Sequence, residues 1–476
     1  MADHSVNGNG VDKSCFFLEK MEKENLPKVA VDSFLHYYSL LSQGKTGCIP
    51  EGDLNPVESD EIEDIQDLER WSSAGRKALS RAVVIKLNGG LGTTMGLSRA
   101  KSLIPVKNGC SFLDITALQI RNLNSRFGIS IPLILMNSFK TEQDSLEALS
   151  RYPDLKTDIP FSFLQHKFPK ILRSDLMPAT YPQNPQLEWN PPGHGDLYPA
   201  FLTSGILDQL IQKGYRYAFV SNADNLGATL DTDILGYFAE KRLSFLMEVT
   251  DRTYMDRKGG HLARLKNGKL ILREAAQCHK EDLPSFRNIK RHRFFNTNNL
   301  WIDLVALKTV LEKKNNLLDL PMIRNKKRLD PRNSQSPEVL QLESAMGSAI
   351  SVFENADAVR VTRSRFAPVK NCEELLLLWS DYYLLTEDCR ITRNPCRKAS
   401  RVNIDLDPEY YSIIDQLFER FPDGVPSLVE CESLKIVGDV RFGKNVVVKG
   451  EVSINNSRSK PAYIPDNTHL SGDIIL

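Results

Sequence analysis

No C-x-x-C pair occurs among the eight cysteines, which stand at 15, 48, 110, 278, 372, 389, 396 and 431. Their spacing fits neither a zinc site nor a disulfide framework, so reduced thiols in a cytosolic protein are the expectation. No run approaches the ~20 apolar residues that cross a bilayer, and the amino-terminal MADHSVNGNGVDKS has no apolar stretch of a secretory signal. An excess of one charge is missing too, because 61 Lys and Arg meet 60 Asp and Glu for a net +1. Proteins that live on nucleic acid or anionic membranes usually carry a basic surplus. The runs Lys290-Arg291-His292-Arg293 and Lys326-Lys327-Arg328 read as solvated faces. A soluble cytoplasmic protein with neither nucleic-acid nor membrane partners is expected.

What is present begins with an ordinary supply of core residues. In 476 residues, 41% are hydrophobic and 25% charged, enough for two or three domains or one large α/β unit. Residues 1 to about 14 read as disordered. Phe16 to Leu41 has apolar residues at helical spacing, and the acidic stretch Glu58 to Glu69 reads as a solvated approach to a short helix. Three β-branched or apolar runs follow, Ala82–Leu87, Ile131–Met136 and Tyr217–Val220, each ending in small or polar residues. Helical periodicity separates them over Phe112–Phe127 and Phe201–Lys213. Non-alternating strands between helices argue for a parallel sheet buried on both faces, with ligands at the carboxyl ends of its strands.

The carboxyl end carries a different period. Leu434, Val440, Val446 and Val452 recur every six residues, and Ile436, Phe442, Val448 and Ile454 repeat two places later. Such a period predicts a β-helix, with a pair of ordinary hairpins as the alternative source of part of it. All the candidate loops precede Leu434, so this tail is expected to serve assembly or stability rather than chemistry.

The first strand enters Leu87-Asn-Gly-Gly-Leu-Gly-Thr-Thr-Met-Gly96 and then Ser98-Arg-Ala-Lys-Ser102. Dense glycine lets backbone N–H groups converge on an anion. The dinucleotide fingerprint fails because Met95 stands where glycine is needed, and a Walker loop fails because Ala100 precedes Lys101. The loop instead resembles that of the UTP–glucose-1-phosphate uridylyltransferases. Further blocks stand in that family's order: Met136–Phe139, Pro191–Asp196, Asn222–Gly227, Phe295–Trp301 and Ser364–Lys370.

The resemblance implies a mixed, mostly parallel α/β nucleotidyltransferase sheet (Rossmann-like) with a carboxyl-terminal left-handed β-helix. It implies transfer of a uridylyl group from UTP to a sugar 1-phosphate with Mg²⁺. Such chemistry needs positioned anions and offset charge rather than a protein nucleophile. By resemblance Lys101 and Lys370 are the catalytic lysines, contacting the phosphates from opposite sides. UTP is implied to meet Leu87, Asn88, Gly89, Gly90, Gln165 and Gly193. An amide such as Gln165 can pair with both the donor and the acceptor edges of uracil. The sugar phosphate is implied to meet Gly89, Gly90, His194, Asn222, Ala223, Asp224, Gly260 and Glu274. Asn296, Thr297 and Asn298 add neutral hydrogen-bonding groups suited to sugar hydroxyls. Asp224 closes the third strand, where an aspartate could cap the next helix instead, and the resemblance favours it as the Mg²⁺ ligand.

One departure is that Arg99-Ala100 stand where the family usually has Gly-Pro, which leaves this approach to Lys101 without proline's stiffness. Thr94 and Met95 stand where UDP-N-acetylhexosamine or broad UDP-sugar pyrophosphorylases tend to have Arg and Leu, and so favour glucose 1-phosphate. A catalytically silent nucleotide-sugar-binding scaffold is disfavoured by retention of Lys101, Asp224 and Lys370. The expected units are a helical segment over 1–79, a catalytic domain over 80–385 and a β-helix domain over 386–476. A homo-oligomer built through the last of these is a further expectation.

Overall fold

The computed structural model describes residues 12–92, 95–97, 99–397, 402–458 and 460–476. Thr94 and most of the amino-terminal stretch read as disordered lie outside them.

The central sheet is built from β1 (Ala82–Asn88), β2 (Leu133–Asn137), β3 (Ser162–Leu164), β4 (Tyr217–Asn222), β5 (Phe245–Asp251), β6 (Phe294–Asp303) and β7 (Ala356–Arg360). Their order is β7-β5-β6-β4-β1-β2-β3, with the short strand Glu63–Asp64 beyond β7. All these neighbours are parallel except at β6, which runs antiparallel to both β4 and β5. The β-branched run of β1 is buried on both faces, with Val83 and Ile85 in one core and Val84 in the other. Covering helices are what such a two-sided strand requires.

The helix Phe112–Phe127 starts where Ser111 caps the Asp114 N–H at 3.1 Å, and it ends at Gly128 in the left-handed region. The helix expected over Phe201–Lys213 is instead two, Leu197–Thr203 and Ile206–Gln212, because Gly205 at φ 73° breaks the turn between them. At the amino-terminal end Ser14–Lys23 and Lys28–Ser42 are separate helices.

The tail consists of β8 (Asn403–Leu406), β9 (Cys431–Val437), β10 (Val440–Phe442), β11 (Val447–Asn455), β12 (Ala462–Ile464) and β13 (His469–Ile475). Two parallel ladders result, β8-β9-β11-β13 and β10-β12. Leu434 lies opposite Val452 and Ile436 opposite Ile454, so stacked positions are separated by eighteen residues, or three hexads. The six-residue period therefore recurs three times between one stacked position and the next. The tail's hydrophobic core also takes in Met95, Ile104, Val106 and Phe112, together with Leu375 and Leu376. It continues across residue 385 and reaches the glycine loop.

Candidate active site

The carboxyl ends of β1, β2, β3 and β4 lie along one edge of the sheet, with Leu87 opposite Asn222 and Asn88 opposite Asn137. A polar ladder fixes that edge. The Asn88 amide donates to Asn137 Oδ1 and to Ser145 Oγ, both at 2.7 Å, and the Asn137 amide donates to Ser162 Oγ at 2.9 Å. Asn88 thus spends its side chain on the scaffold, and the ladder holds the floor from which the glycine loop departs.

That loop is pinched at its neck. Leu91 bridges Ala100, and the Lys101 N–H donates to Gly90 O at 3.2 Å. The bridge supplies stiffness at Ala100 where the sequence has no proline. Gly89 is glycine for a visible reason, since a Cβ there would sit 2.8 Å from the Gln165 amide. Gln165 is itself set by its backbone N–H, which donates to Asn137 O at 2.8 Å. Gly193 has φ 79°, and a Cβ would meet Ser344 O at 2.5 Å.

These residues enclose a cavity of about 360 Å³, lined by Leu87, Asn88, Gly89, Gly90, Lys101, Gln165, Gly193, His194, Asn222, Ala223 and Asp224. A second cavity, of about 330 Å³, includes His194, Asn222, Asp224, Gly260, Glu274, Asn296, Asn298 and Lys370. His194, Asn222 and Asp224 belong to both, so the two form one groove with these three residues at its waist.

At the waist Lys101 is ion-paired with Asp224. His194 Nδ1 accepts the Met346 N–H at 2.9 Å, and burial pulls its pKa down to about 4. The imidazole is therefore neutral at physiological pH, with its proton on Nε2 and available as a donor. In the second cavity a Cβ on Gly260 would lie 2.6 Å from the Glu274 carboxylate. Burial raises the Glu274 pKa, and the positive charge of Lys370 partly opposes it. Lys370 sits just before the helix Cys372–Trp379, and its backbone N–H donates to the Glu374 carboxylate. No carboxylate among the described residues forms an ion pair with its ammonium.

Thr297 does not face the groove with Asn296 and Asn298, contrary to what their adjacency in the sequence predicts. The pairing of β5 with β6 jumps from Glu248–Asn299 to Val249–Asn296, so Thr297 and Asn298 form a bulge, with Asn298 at φ 58°. Thr297 Oγ1 donates inward to Glu248 O at 2.7 Å and lines neither cavity, whereas Asn296 and Asn298 hydrogen-bond each other at 2.8 Å beside the second.

Asp196 and His166, to which the sequence alone assigns no role, support the groove. Buried Asp196 accepts the His166 backbone N–H at 2.6 Å and pairs with His166 Nδ1 at 2.8 Å. This ties the segment carrying Gln165 to the turn carrying His194. The signal in the sequence is only that His166 follows Gln165 directly and that Asp196 closes the block Pro191–Asp196. A separate cavity of about 300 Å³ on the other face of the sheet includes Lys86 and none of the expected site residues.

Fit to a hard cation can be judged from Asp224. Among the described residues no cluster of three or more His, Cys, Asp or Glu could hold a metal. A single carboxylate facing a phosphate-sized groove is nevertheless the usual provision for Mg²⁺, which keeps waters and takes substrate phosphate oxygens. The residues fit the ion only in that shared mode.

The sequence profile of the UTP–glucose-1-phosphate uridylyltransferases matches residues 31–449. The chain belongs to that family. A UTP–glucose-1-phosphate uridylyltransferase of Solanum tuberosum is 42% identical over 398 residues, spanning 83% of this chain and 81% of the relative. One of Encephalitozoon cuniculi is 42% identical over 417 residues, spanning 87% and 82%. A mutant UDP-glucose pyrophosphorylase from Leishmania major in complex with UDP-glucose superposes with a TM-score of 0.90 at 41% identity, covering 98% of this chain and all of that one. A structure from Trypanosoma brucei, described as a UDP-glucose phosphorylase, superposes with a TM-score of 0.88 at 45% identity and the same coverage. Within this uridylyltransferase family the large, mostly parallel α/β sheet is the shared frame, and the waist of the groove lies at its carboxyl edge.

Proposed function

We infer that the chain transfers the uridylyl group of UTP to glucose 1-phosphate, giving UDP-glucose and pyrophosphate. The observation that carries the assignment to this groove is its division into two cavities sharing His194, Asn222 and Asp224, with Lys101 on one side and Lys370 on the other. UTP occupies the cavity of Gly89, Gly90 and Gln165, and the sugar occupies that of Gly260, Glu274, Asn296 and Asn298. Uracil meets the Gln165 amide, which makes no side-chain hydrogen bond to the described residues.

A phosphate oxygen of the sugar phosphate attacks the α-phosphorus; the new P–O bond forms as the bond to pyrophosphate breaks in line. Lys101 holds the nucleotide phosphates and Lys370 the incoming sugar phosphate. Negative charge on the transferring group is thereby offset from both sides without a covalent enzyme intermediate. Neutral His194 donates Nε2–H at the waist. Asp224 would hold Mg²⁺, which would offset phosphate charge there.

The tail is a left-handed β-helix. The eight cysteines, all free thiols, support a reducing cytoplasmic location. No helix among the described residues is long and apolar enough to cross a membrane. Tyr463 and Ile475 are exposed on the outer coils and favour a homo-oligomer through the tail.

Pyrophosphate release with UTP, Mg²⁺ and a panel of sugar 1-phosphates tests the assignment. Glucose 1-phosphate is expected to lead. A preference for N-acetylhexosamine 1-phosphates, or equal use of all sugars, would shift the reading to the related pyrophosphorylases. Binding of UDP-glucose without turnover would make the chain a silent scaffold.

A further inference from the structure

Between Asp224 and Lys370 lies a side chain that touches neither cavity. Asn225 is fully buried and follows Asp224 directly. Its amide nitrogen donates to Arg365 O at 3.1 Å and to Asn299 Oδ1 at 3.3 Å, and its Oδ1 accepts the Ala367 N–H at 3.0 Å. Asn225 also forms an isolated antiparallel bridge with Pro368, two residues before Lys370. The two loops are in close apposition here, since a Cβ on Gly227 would lie 2.2 Å from Ser364 O.

The far side of this contact is anchored. Arg365 Nε and Nη2 donate to the two oxygens of Glu248 at 2.8 and 2.7 Å, and Nη2 also donates to Thr229 O at 2.9 Å. Glu248 accepts further bonds from Asn299 Nδ2 at 2.9 Å and Trp301 Nε1 at 3.0 Å. A buried carboxylate with so many donors is locked in one arrangement. At the near side Lys86 Nζ donates to Ser221 Oγ and to Ala228 O, each at 2.8 Å, closing the two ends of the loop that carries Asp224.

We propose that Asn225 is a positioning residue that sets the separation of Asp224 from Lys370, so that the two move as one unit. The inference rests on the roles given to those residues above. Asn225 stands on the loop of Asp224 and reaches the loop of Lys370 with one rigid amide: its oxygen accepts the Ala367 N–H, while its nitrogen donates to the Arg365 carbonyl, which Asn299 Nδ2 also meets at 3.2 Å. Reaction of two bound anions depends on their alignment, and a misplacement of ~1 Å costs about 10²-fold in rate.

The test is a double-mutant cycle on the full chain, with Asn225→Ala and Lys370→Ala singly and together. Asn225→Ala is expected to lower kcat at least ~10-fold. Its KM for UTP should stay within about threefold, because neither the glycine loop nor Gln165 touches this bridge. Adding Asn225→Ala to Lys370→Ala should cost less than threefold more, since the separation it sets from Asp224 then has no ammonium at its other end. Asn225→Asp keeps the acceptor for Ala367 but loses the donors, and should recover part of the loss.

A fully additive cycle would overturn the inference while leaving the role of Lys370 intact. So would an Asn225→Ala enzyme with unchanged kcat per folded molecule and only a lower thermal midpoint. Normal turnover by Lys370→Ala alone would bring down the reading of the site, and the inference with it.

Discussion

The two halves of the groove are built from different materials. The nucleotide half is mostly backbone at the carboxyl ends of parallel strands, and its cation Lys101 is already neutralised by Asp224. The sugar half is mostly side chains from a bulged antiparallel strand and a neighbouring hairpin, and Lys370 there has no ion-pair partner among the described residues. A neutralised half suits a ligand that arrives with its own cation, whereas an unpaired ammonium suits a bare phosphate monoester. The glycines differ in the same sense. Gly89 makes room for an amide that can read a base, and Gly260 makes room for a carboxylate that can accept sugar hydroxyls.

Breaking the cation on each side gives the largest expected effects. Lys101→Ala and Lys370→Ala should each lower kcat/KM by ~10²–10³-fold, as removal of a transition-state electrostatic contact does. They should differ in the free enzyme, because only Lys101→Ala leaves Asp224 without its partner. A thermal shift shared equally by both variants would contradict the contrast between a neutralised and an unneutralised half. Asp224→Asn keeps the size and removes the charge, so turnover should fall ~10²-fold with a raised requirement for Mg²⁺. Normal turnover at limiting Mg²⁺ would end the metal role.

Base selection sharpens the comparison on the nucleotide side. UTP should be strongly preferred over CTP, ATP and GTP. Gln165→Ala should narrow that preference by about 1–3 kcal/mol, the cost of leaving a polar partner unsatisfied. Equal use of ATP and UTP by the intact protein would reduce the nucleotide half to a phosphate cradle.

The smallest effects concern protons. His194 is held at about 4, so no loss of kcat/KM attributable to it should occur near pH 6.5, its ordinary titration range. A His194→Gln enzyme that removed an acid limb near 6.5 would show that the imidazole is charged after all. Glu274 is raised by burial above its unfolded value near 4.5. The cost of burying it ionised is absent below that value, grows as pH rises through the folded pKa, and is complete above it. Glu274→Gln should therefore raise the thermal midpoint at pH 8 more than at pH 4. Equal shifts at both would contradict the burial.

How much of this was legible follows the range of the interactions involved. The strands ending at Asn88, Asn137 and Asn222 could be read because β-branched runs and the polar residues after them are local signals. The glycine loop was legible for the same reason. The insertion of β6 between β4 and β5 was not, since pairing direction leaves no mark in one strand's composition. Thr297 was misplaced because a bulge breaks the alternation that would otherwise fix its side. The pairing of His166 with Asp196 spans thirty residues and has no pattern of its own. Hexads in the tail were plain, but the eighteen-residue stacking distance appeared only when Leu434 met Val452.

The expectation that the tail stands apart from the chemistry meets a structural objection. Met95 is wholly buried in the tail's core, and a Cβ on the adjacent Gly96 would lie 3.0 Å from Ile413. In a library of random substitutions, changes at Ile413 should therefore score as poor nucleotide users more often than their distance along the chain would suggest. A genetic screen that sorted lesions by position would file such a variant under folding. A suppressor recovered in the glycine loop would be what moves it to the other column.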